Sequence, residues 1–594
     1  MATNWLGGLN EDQQAAARWS EGPVVILAGA GSGKTKVLTY RAAYLIKEKG
    51  INPDKILLLT FTNQAGREMR ERITKLAGSN RLPWAGTFHS WCARMLRREG
   101  RWLGIAADYL IYDEKDQQAT VKATVKRMNL NFKEFKPQAV AAAISQAKNE
   151  LIGTLEYQQY ARGWWQEKVA EIYGEYQKSL KEAAALDFDD LLMEAVRLFQ
   201  KQPDVLAGYQ NRYEYVLVDE YQDTNQAQYL LTKLLAGKWR NLCVVGDFSQ
   251  SIYSWRGADF RNLQRLKEDF ADLKMFALER NYRSTQTILS AANAVVAKNT
   301  SHPVLKLWTD KNGGARIRLV EADDEREEAR FVVETIKNAQ NNNYAVLYRT
   351  NAQSRVIEEE LIRAGVVYRL VGGTRFYDRR EIKDLLAYLR LVVNEKDKVS
   401  WERVEKLGKR KLNKWKESLK LLKNTKGLER MTTLELLDEV LRVTGYLDLY
   451  DERIEEDLMR LENIKELKSV AYESSDLVEF LENVALIEHE RARFTESQGS
   501  QVTLMTLHGA KGLEFEGVFM VGMEEGLFPH SRSFFNKEEL EEERRLAYVG
   551  MTRAKEELYL TYARRRLYFG QRAESLVSRF VGEIPRELVE EWVK

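Results

Sequence analysis

The sequence predicts an α/β protein with two parallel-sheet cores, because short apolar runs recur ahead of longer helical patterns. Such runs are typical of strands buried on both faces of a parallel sheet with crossover helices. The chain has 594 residues, of which 44% are hydrophobic, and a single core does not keep growing at that length, so two to four domains are expected. The predicted strands form two sets, residues 24–27, 56–59, 215–218 and 242–245 in the first, and residues 317–320, 345–348, 502–505 and 518–521 in the second.

The first predicted strand leads into a glycine-rich loop followed by a helical pattern. Glycines let backbone amides converge on phosphate oxygens, Lys34 can reach the outer phosphates, and the Thr35 hydroxyl can ligate Mg²⁺ at a helix N-terminus. Ala28 stands where the strict pattern has glycine, and an ordinary strand-to-helix turn is the alternative. We nevertheless predict a nucleoside triphosphatase, although the loop does not specify the coupled reaction. The predicted loop consists of Ala28, Gly29, Ala30, Gly31, Ser32, Gly33, Lys34 and Thr35.

The apolar run 215–218 ends in two carboxylates, Asp219 and Glu220. We expect Asp219 to hold Mg²⁺, directly or through water, and Glu220 to orient and deprotonate the attacking water. A solvated surface pair is the alternative, but the position after a buried strand favours catalysis. Charge on a transferred phosphoryl group needs further cations. Arg283 and Arg553 are the candidates, although spacing alone favours surface arginines at both positions.

Two long stretches without strand patterns interrupt the cores and are interpreted as helical insertions. Residues 106–187 have a helical sequence pattern rich in polar, Ala and aromatic residues, and residues 379–497 are rich in Lys, Glu and Leu. Because these stretches carry no strand pattern, we predict helices there. The predicted domains are a first core at 1–105 and 188–277, its insertion at 106–187, a second core at 278–378 and 498–594, and its insertion at 379–497.

Composition limits the classes of partner and compartment. The 91 Lys and Arg against 88 Asp and Glu leave a net charge of +3, so a nucleic-acid site must come from local clustering. Cys92 and Cys243 lie far apart without metal-ligand spacing, which argues against a disulfide framework and a zinc site. No segment approaches the roughly 20 apolar residues that span a bilayer, and the first residues carry no targeting pattern. We therefore expect a cytoplasmic protein without a membrane role.

Twelve short segments match one family in order as well as in content. They are residues 9–13, 28–35, 60–63, 86–90, 186–190, 218–224, 245–258, 281–284, 348–351, 371–373, 506–515 and 547–554. On these segments the chain resembles the UvrD/Rep/PcrA family of superfamily 1 DNA helicases across essentially its whole length. The resemblance implies two RecA-like P-loop NTPase domains, each with a mainly helical insertion, and ATP and Mg²⁺ as cofactors.

The resemblance also implies how the nucleotide is held. Gln13 would read the adenine edge, Tyr282 would stack on the base, and Glu514 would lie near the ribose. For Gln13, a surface glutamine beside a helix start is the alternative. The implied reaction is ATP-dependent 3′→5′ unwinding of DNA.

The resemblance implies further roles around the γ-phosphate. Gln250 would sense it, and Arg283 and Arg553 would contact it from the second core domain. Gln250 and Trp255 lie five residues apart in one segment, so the γ-phosphate sensor is close along the chain to an aromatic residue. ATP binding could then change the grip on the DNA strand.

Aromatic residues in loops offer platforms on which bases of single-stranded DNA stack. Trp255 is the best candidate, because Arg256 and Gly257 follow it and indicate a loop. For Phe61 and Phe188, packing in the core is the alternative. An ordinary surface or hydrogen-bonded polar residue is the alternative for His89, His508, Arg349 and Asn351. The predicted DNA-contacting residues are Phe61, His89, Phe188, Tyr253, Trp255, Arg256, Arg349, Asn351 and His508.

The chain departs from the family pattern at several positions. Gln64 stands where relatives usually have Lys, and Ser249 where they commonly have Asp. The second insertion is shorter than usual and lacks the Gly-Ile-Gly hairpin that grips duplex DNA in relatives. Residues 406–426 instead hold nine basic residues against Glu417, with apolar residues at helical spacing, which predicts a basic amphipathic helix. It could grip duplex phosphates or be a solvated surface helix.

Three functions follow as alternatives. The first is a DNA helicase that acts on single strands and single/double-strand junctions in repair or replication. The second is a translocase that strips proteins from single strands but unwinds weakly. The third, a non-catalytic nucleotide-gated DNA-binding module, is disfavoured by Lys34, Asp219, Glu220 and Arg553. The pathway, the oligomeric state and protein partners are not specified by the sequence.

Overall fold

The computed structural model describes residues 5–78, 81–311, 313–339, 343–425, 427–452, 454–493, 502–568 and 571–592. The chain divides into two compact units. The first unit comprises Met1–Tyr282 and Thr300–Asp310, and the second comprises Arg283–Asn299 and Lys311–Lys594.

A parallel sheet forms the centre of the first unit. Its strands are β1 (Val24–Ala28), β2 (Ile56–Thr60), β3 (Trp84–Thr87), β6 (Tyr215–Val218), β7 (Leu242–Gly246) and β8 (Lys274–Leu278), and a separate parallel pair is β4 (Leu110–Tyr112) and β5 (Ala185–Asp187). The order over the described residues is β3–β2–β6–β7–β1–β8, with every pairing parallel. All residues of β1, β2 and β7 are buried, which explains why their sequences are continuous apolar runs.

Helices cover this sheet and form the insertion between β4 and β5. They are α1 (Glu11–Arg18), α2 (Lys34–Lys47), α3 (Asn63–Ala77), α4 (Phe88–Glu99), α5 (Glu114–Arg127), α6 (Pro137–Asn149), α7 (Thr154–Tyr160), α8 (Trp164–Glu182), α9 (Phe188–Lys201), α10 (Pro203–Arg212), α11 (Gln226–Ala236) and α12 (Asn262–Asp269). Helices α5 to α8 bury a core of their own that includes Val125, Ile144 and Ile172.

The second unit is built around another parallel sheet. Its strands are β9 (Ile317–Ala322), β10 (Tyr344–Tyr348), β11 (Tyr368–Leu370), β12 (Val502–Thr506), β13 (Phe515–Met520), β14 (Ala554–Ala563) and β17 (Val589–Trp592), and an antiparallel hairpin is β15 (Arg565–Tyr568) and β16 (Gln571–Glu574). The order within the described residues is β11–β12–β10–β13–β14–β9–β17, again with parallel pairings.

The helices of the second unit fall into two groups, one against the sheet and one inserted between β11 and β12. They are α13 (Gln286–Val296), α14 (Glu325–Asn338), α15 (Ser354–Arg363), α16 (Arg380–Val393), α17 (Lys398–Lys406), α18 (Lys409–Asn424), α19 (Thr433–Thr444), α20 (Glu455–Glu473), α21 (Leu477–Arg493), α22 (Lys537–Met551) and α23 (Arg579–Gly582). The inserted group, α16 to α21, buries a core that includes Leu389, Trp415 and Leu437.

The predicted α/β class with two parallel sheets is confirmed, and each of the eight predicted strands lies in an observed strand or overlaps one. The sequence analysis missed both edges of each sheet, which are β3 and β8 in the first and β11 and β17 in the second, and also missed the interior strand β14. An edge strand has one neighbour and partly faces solvent, so it lacks a continuous apolar run. In the part of the chain that the structure describes, no helix combines the length and apolarity needed to cross a bilayer.

Candidate functional site

The phosphate loop connects the carboxyl end of β1 to the first turn of α2. Gly31 and Gly33 have φ of 64° and 84°, in the left-handed region that residues with a Cβ avoid. Gly33 directly precedes α2, and Lys34 at the start of that helix reaches back so that Nζ donates to the Ala28 carbonyl at 3.3 Å. The loop therefore turns tightly around the lysine, with its backbone amides at a helix N-terminus, which suits a bound phosphate.

The N-terminus of α1 lies against this loop. The Asn10 side chain caps α1 by accepting a hydrogen bond from the Gln13 amide at 2.8 Å. The buried Gln13 side chain donates through Nε2 to the Ser32 carbonyl at 2.8 Å. Asn10 also donates through Nδ2 to the Tyr282 hydroxyl at 2.8 Å, and 47% of Tyr282 is exposed. The structure thus brings Gln13 and Tyr282 to one side of the phosphate loop, and their contact with adenine stays a prediction.

Thr35 and Asp219 meet at the carboxyl end of the sheet. The Thr35 hydroxyl donates to Asp219 Oδ2 at 3.2 Å. Burial of Asp219, together with the neighbouring Glu220 charge, raises the pKa of its carboxyl to about 7 against the opposing effect of the Lys34 ammonium. A cation at this carboxylate would favour its charged form. Hydroxyl and carboxylate oxygens are ligands that Mg²⁺ accepts together with phosphate oxygens and water, so the residues fit this ion.

A chain of hydrogen bonds runs from Glu220 to Gln250. Gln222 Nε2 donates to Glu220 Oε2 at 2.5 Å, and Gln222 Oε1 accepts from the Asp247 amide at 3.0 Å. Gln250 Nε2 then donates to Asp247 Oδ2 at 2.7 Å. Glu220 itself has a φ of 50°, a left-handed conformation that costs roughly 1–2 kcal/mol for a residue with a Cβ. The residue predicted to activate water is therefore linked to the predicted γ-phosphate sensor.

The sequence analysis assigned no role to Gln222 or Asp247, the two central members of this chain. Both follow buried strands, since Gln222 lies just after β6 and Asp247 directly after β7. Polar residues at the carboxyl ends of parallel strands meet at one edge of the sheet, and that signal could have identified them. Burial raises the pKa of Asp247, while the Lys34 ammonium lowers it.

In the second unit, Arg283, Glu514 and Arg553 form one cluster. Arg283 Nε donates to Glu514 Oε2 at 2.8 Å, and its Nη1 donates to the Thr552 carbonyl at 3.1 Å. The buried Arg553 donates through Nη1 to the Leu513 carbonyl at 3.2 Å. Burial alone would raise the pKa of Glu514, but the neighbouring Arg283 guanidinium holds it below its usual value. The structure thus brings together the three residues of the second unit that were predicted to contact nucleotide.

The predicted DNA-contacting aromatic residues of the first unit form two edge-to-face pairs and one partly buried ring. His89 and Phe188 have ring centroids 5.7 Å apart, and Tyr253 and Trp255 are 6.4 Å apart. Phe188 and Trp255 are about half exposed, and their stacking on bases stays a prediction. Phe61 packs edge-on against the buried Phe88. Burial lowers the pKa of His89 to about 4, so its ring is neutral at pH 7.

Asn149 at the end of α6 links the segments that carry Phe188 and Trp255. Its Oδ1 accepts from Asn225 Nδ2 at 2.6 Å, and its Nδ2 donates to Asp189 Oδ1 at 3.4 Å. Gly257, two residues after Trp255, has a φ of 83°, and a Cβ placed there would lie 3.5 Å from the Asn149 side chain. Sequence reasoning missed Asn149, because nothing along the chain marks a helix end that meets two distant loops.

Three further predicted DNA contacts lie in the second unit, after the neighbouring strands β10 and β12. Arg349 Nε donates to Glu543 Oε1 at 3.0 Å, Asn351 Nδ2 lies 3.7 Å from Met459 Sδ, and His508 begins a short 3-10 helix. Their contact with DNA stays a prediction, and Arg349 would have to share its carboxylate partner. The side chain of Arg256, another predicted contact, lies outside the described residues.

Comparison with known proteins identifies the family of this chain. A family model described as the UvrD/REP helicase N-terminal domain matches residues 9–271. A second model, the UvrD-like helicase C-terminal domain, matches in two overlapping segments, residues 276–439 and 409–565. Both matched segments include residues 409–439, a range that contains α18.

Curated relatives support the same assignment over nearly the whole chain. The ATP-dependent DNA helicase PcrA of Bacillus subtilis (strain 168) is 44% identical over 98% of this chain and 87% of its own length. The proteins of the same name from Staphylococcus aureus (strain Mu50) and Staphylococcus epidermidis are 43% identical with the same coverage. The alignment with the Bacillus protein runs over 642 positions, more than the 594 residues of this chain, so this chain lacks segments that the relative has. The predicted resemblance is confirmed, and the chain belongs to the UvrD/Rep family of ATP-dependent DNA helicases.

Proposed function

We propose that the protein moves 3′→5′ along single-stranded DNA by ATP hydrolysis and unwinds duplex DNA at single/double-strand junctions, in DNA repair or replication. The hydrogen-bond chain from Glu220 through Gln222 and Asp247 to Gln250 is the observation that carries this proposal. It joins the residue suited to activate water to the segment that bears Trp255. A structural change at the γ-phosphate could therefore be transmitted through these hydrogen bonds to the segment that carries Trp255.

The phosphate loop provides the nucleotide-binding part of this function. Lys34 places an ammonium at the helix N-terminus, where it would stabilise charge on the outer phosphates. Thr35 and Asp219 would hold Mg²⁺, which supplies positive charge to the phosphate oxygens when bound. Gln13 and Tyr282 lie beside the loop and would hold the adenine by hydrogen bonding and stacking.

Glu220 is proposed as the general base for the attacking water. Its carboxylate accepts a hydrogen bond from Gln222, which orients it, and a carboxylate in this role contributes typically 10²–10⁴-fold to the rate. Arg283 and Arg553 are proposed to add positive charge at the γ-phosphate from the second unit. The Glu514 carboxylate supports this by holding the Arg283 guanidinium.

On the DNA side, Trp255 and Phe188 are proposed to stack on bases, with Phe61, His89 and Tyr253 beside them. Stacking does not depend on base identity, which suits movement along any sequence. We propose that the predicted insertions, residues 106–187 and 379–497, are domains distinct from the two core domains. Different DNA affinities in the nucleotide-bound and nucleotide-free states would give the movement its direction.

Unwinding of duplexes with a 3′ or a 5′ single-stranded overhang tests this proposal. We expect ATP-dependent strand displacement from the 3′ overhang only. Lys34→Ala should abolish DNA-stimulated hydrolysis and unwinding while leaving single-strand binding largely intact. Unwinding from the 5′ overhang only, or retained movement by the Lys34→Ala variant, would contradict the proposal.

A single-strand translocase that unwinds weakly is the second candidate. The second insertion favours it, because it is shorter than usual and lacks the Gly-Ile-Gly hairpin through which relatives grip the duplex. Strand displacement measured beside DNA-stimulated ATP hydrolysis separates the two candidates. Hydrolysis and movement on single strands without displacement would favour the translocase.

A further inference from the structure

Asn149, the last residue of α6, has a side chain whose acceptor and donor both serve other segments of the first unit. Its Oδ1 accepts a hydrogen bond from Asn225 Nδ2 at 2.6 Å, and its Nδ2 donates to Asp189 Oδ1 at 3.4 Å. The two partners lie 76 and 40 positions away along the chain. Neither bond closes the end of α6, so the needs of that helix do not explain this asparagine.

On one side of Asn149, Asn225 is fixed to the segment that carries Glu220. The Asn225 Oδ1 atom caps α11 by accepting from the Gln228 amide at 2.9 Å, while Nδ2 contacts Asn149. Between Glu220 and Asn225 the chain forms one short 3-10 turn, in which the Asp223 amide donates to the Glu220 carbonyl at 3.0 Å. A displacement of the Glu220 segment is therefore passed to Asn225 through a hydrogen-bonded turn.

On the other side, Asp189 belongs to the first turn of α9 and directly follows the half-exposed Phe188. The Ser145 hydroxyl, also on α6, donates to the same carboxylate. Burial and the nearby Asp187 charge raise the pKa of Asp189 to about 6, although the hydrogen bonds from Ser145 and Asn149 lower it. Both donors thus favour the charged carboxylate, and the end of α6 holds the start of the helix that carries Phe188.

The segment of Trp255 packs against the same two asparagines, which we call the asparagine junction. Gly257 has a φ of 83°, a conformation that a residue without a Cβ adopts at little cost. A Cβ built at Gly257 would lie 3.5 Å from Asn149 Cβ and 3.8 Å from Asn225 Cβ. The asparagine junction therefore contacts the Trp255 segment directly and the Phe188 segment through Asp189.

Packing fixes the position of Asn149. Leu151, two residues later, has a φ of 62°, a left-handed conformation that costs free energy in a residue with a Cβ. The Leu151 side chain packs against the hydrophobic core of the first unit. Such a conformation persists only where the surrounding contacts determine it, so the end of α6 is held against the core rather than fraying into solvent.

The contacts at position 149 require an amide. Asparagine and glutamine are the side chains that present a carbonyl acceptor and an NH₂ donor on one planar group. A carboxylate at this position would repel Asp189, and alanine would lose both hydrogen bonds. The residue type therefore matches a link between two segments better than it matches a solvated helix end.

We propose that Asn149 is a positioning residue that transmits the nucleotide state from the Glu220 segment to the base-stacking side chains Phe188 and Trp255. It acts through Asn225 on one side and through Asp189 on the other. The proposal rests on the proposed function, in which DNA affinity differs between the nucleotide-bound and nucleotide-free states. It gives α6 of the first insertion a part in that difference, which is a coupling between two binding sites.

The affinity for fluorescent oligothymidylate, measured by anisotropy with and without a non-hydrolysable ATP analogue and Mg²⁺, tests the proposal. The ratio of the two affinities measures the coupling. We expect Asn149→Ala to bring this ratio at least threefold closer to one, since a lost hydrogen bond changes an equilibrium constant by a factor of roughly two to ten. Asn149→Asp should have at least the same effect, because its carboxylate would face Asp189.

Gln146→Ala is the matched control, because Gln146 is an exposed amide on the same helix whose Nε2 donates to Glu150 at 3.2 Å. It should leave the ratio unchanged. Asn225→Ser keeps a hydroxyl able to cap α11 and removes the donor to Asn149, so it should reproduce the effect of Asn149→Ala. The double variant should add little to either single change, as expected for two residues that share one interaction.

An unchanged ratio in Asn149→Ala would overturn the proposal, even with a lowered melting temperature, because a purely structural role weakens both affinities equally. An equal change in Gln146→Ala, or additive effects in the double variant, would also overturn it. Should Asn149→Ala fail to fold, Asn225→Ser provides the same test. Failure of the proposed function is seen separately, in the unaltered protein, as a DNA affinity that does not respond to the analogue and as absent DNA-stimulated hydrolysis.

Discussion

Replacing Lys148 by Met should strongly destabilise the first unit, because this lysine is the cation of a buried cluster. Lys148 Nζ lies 2.6 Å from Asp187 Oδ2 and 2.7 Å from Asp190 Oδ1, and all three side chains are at most 2% exposed. Tyr176 also donates to Asp187 at 2.7 Å. The cluster joins α6 and α8 of the first insertion to the start of α9, directly beside Phe188.

The size of the effect follows from the charges left behind. Removing one partner of a buried ion pair costs about 3–5 kcal/mol, because the remaining charge stays desolvated. In a unit of this size, such a loss lowers the melting temperature by roughly 10 °C. Two carboxylates lose their common cation here, so we expect a value in the upper half of the energy range.

The loss of stability in the Lys148→Met variant should also depend on pH. Burial and the nearby Asp187 charge raise the pKa of Asp190 to about 7, although Lys148 opposes this rise. Without the lysine the folded-state pKa values of both carboxyls rise. A carboxyl whose pKa is higher in the folded than in the unfolded state loses stability as pH rises through the folded value. The variant should therefore lie closer to the unaltered protein at pH 5 than at pH 8.

Scanning calorimetry of the full chain at pH 5 and pH 8 measures this difference. The control is Lys148→Met combined with Asp187→Asn and Asp190→Asn, which removes the stranded charges and keeps an asparagine able to cap α9. It should recover most of the lost stability at pH 8. A melting temperature that is unchanged at pH 8, or lowered equally at both pH values, would refute the reasoning.

Two further predictions concern the motor itself. Glu220→Gln should lower DNA-stimulated ATP hydrolysis by about 10²–10⁴-fold and preserve nucleotide binding. Steady-state hydrolysis assays and the binding of a fluorescent ATP analogue measure the two effects. An unchanged hydrolysis rate would show that Glu220 is not the general base. Trp255→Ala should weaken single-strand binding by about 1–3 kcal/mol without changing hydrolysis in the absence of DNA, as anisotropy titrations report. The exposed Trp239, replaced by Ala, is the matched control, and an equal loss in both variants would argue against specific stacking by Trp255.

The parts of the fold that could be predicted are those in which a residue's role depends on its neighbours along the chain. The interior strands β1 and β7 are buried on both faces, so their sequences are continuously apolar. Lys34 and Thr35 follow the glycines of one loop. The edge strands β8 and β17 were missed because they are partly exposed, and the latter carries two glutamates.

The prediction of the candidate site was less complete, because some of its residues do not depend on their neighbours along the chain. Gln222, Asp247 and Asn149 each act through a partner that is remote along the chain or in another motif. Asn149, for example, lies 76 positions from Asn225, to which it is hydrogen-bonded. No local pattern marks such residues, since glutamines and asparagines at helix or strand ends are most often solvated.

The sequence by itself determined the α/β class, the nucleotide loop and the family, because glycine conformation, apolar runs and motif order are local properties. Only the tertiary structure decided that Glu220 connects to Gln250 through Gln222 and Asp247. It also decided that Arg283 shares a cluster with Glu514, and that the basic residues of α18 face solvent while Trp415 is buried. These facts depend on how distant elements pack, and packing is set by contacts between residues far apart in the chain rather than by neighbours along it.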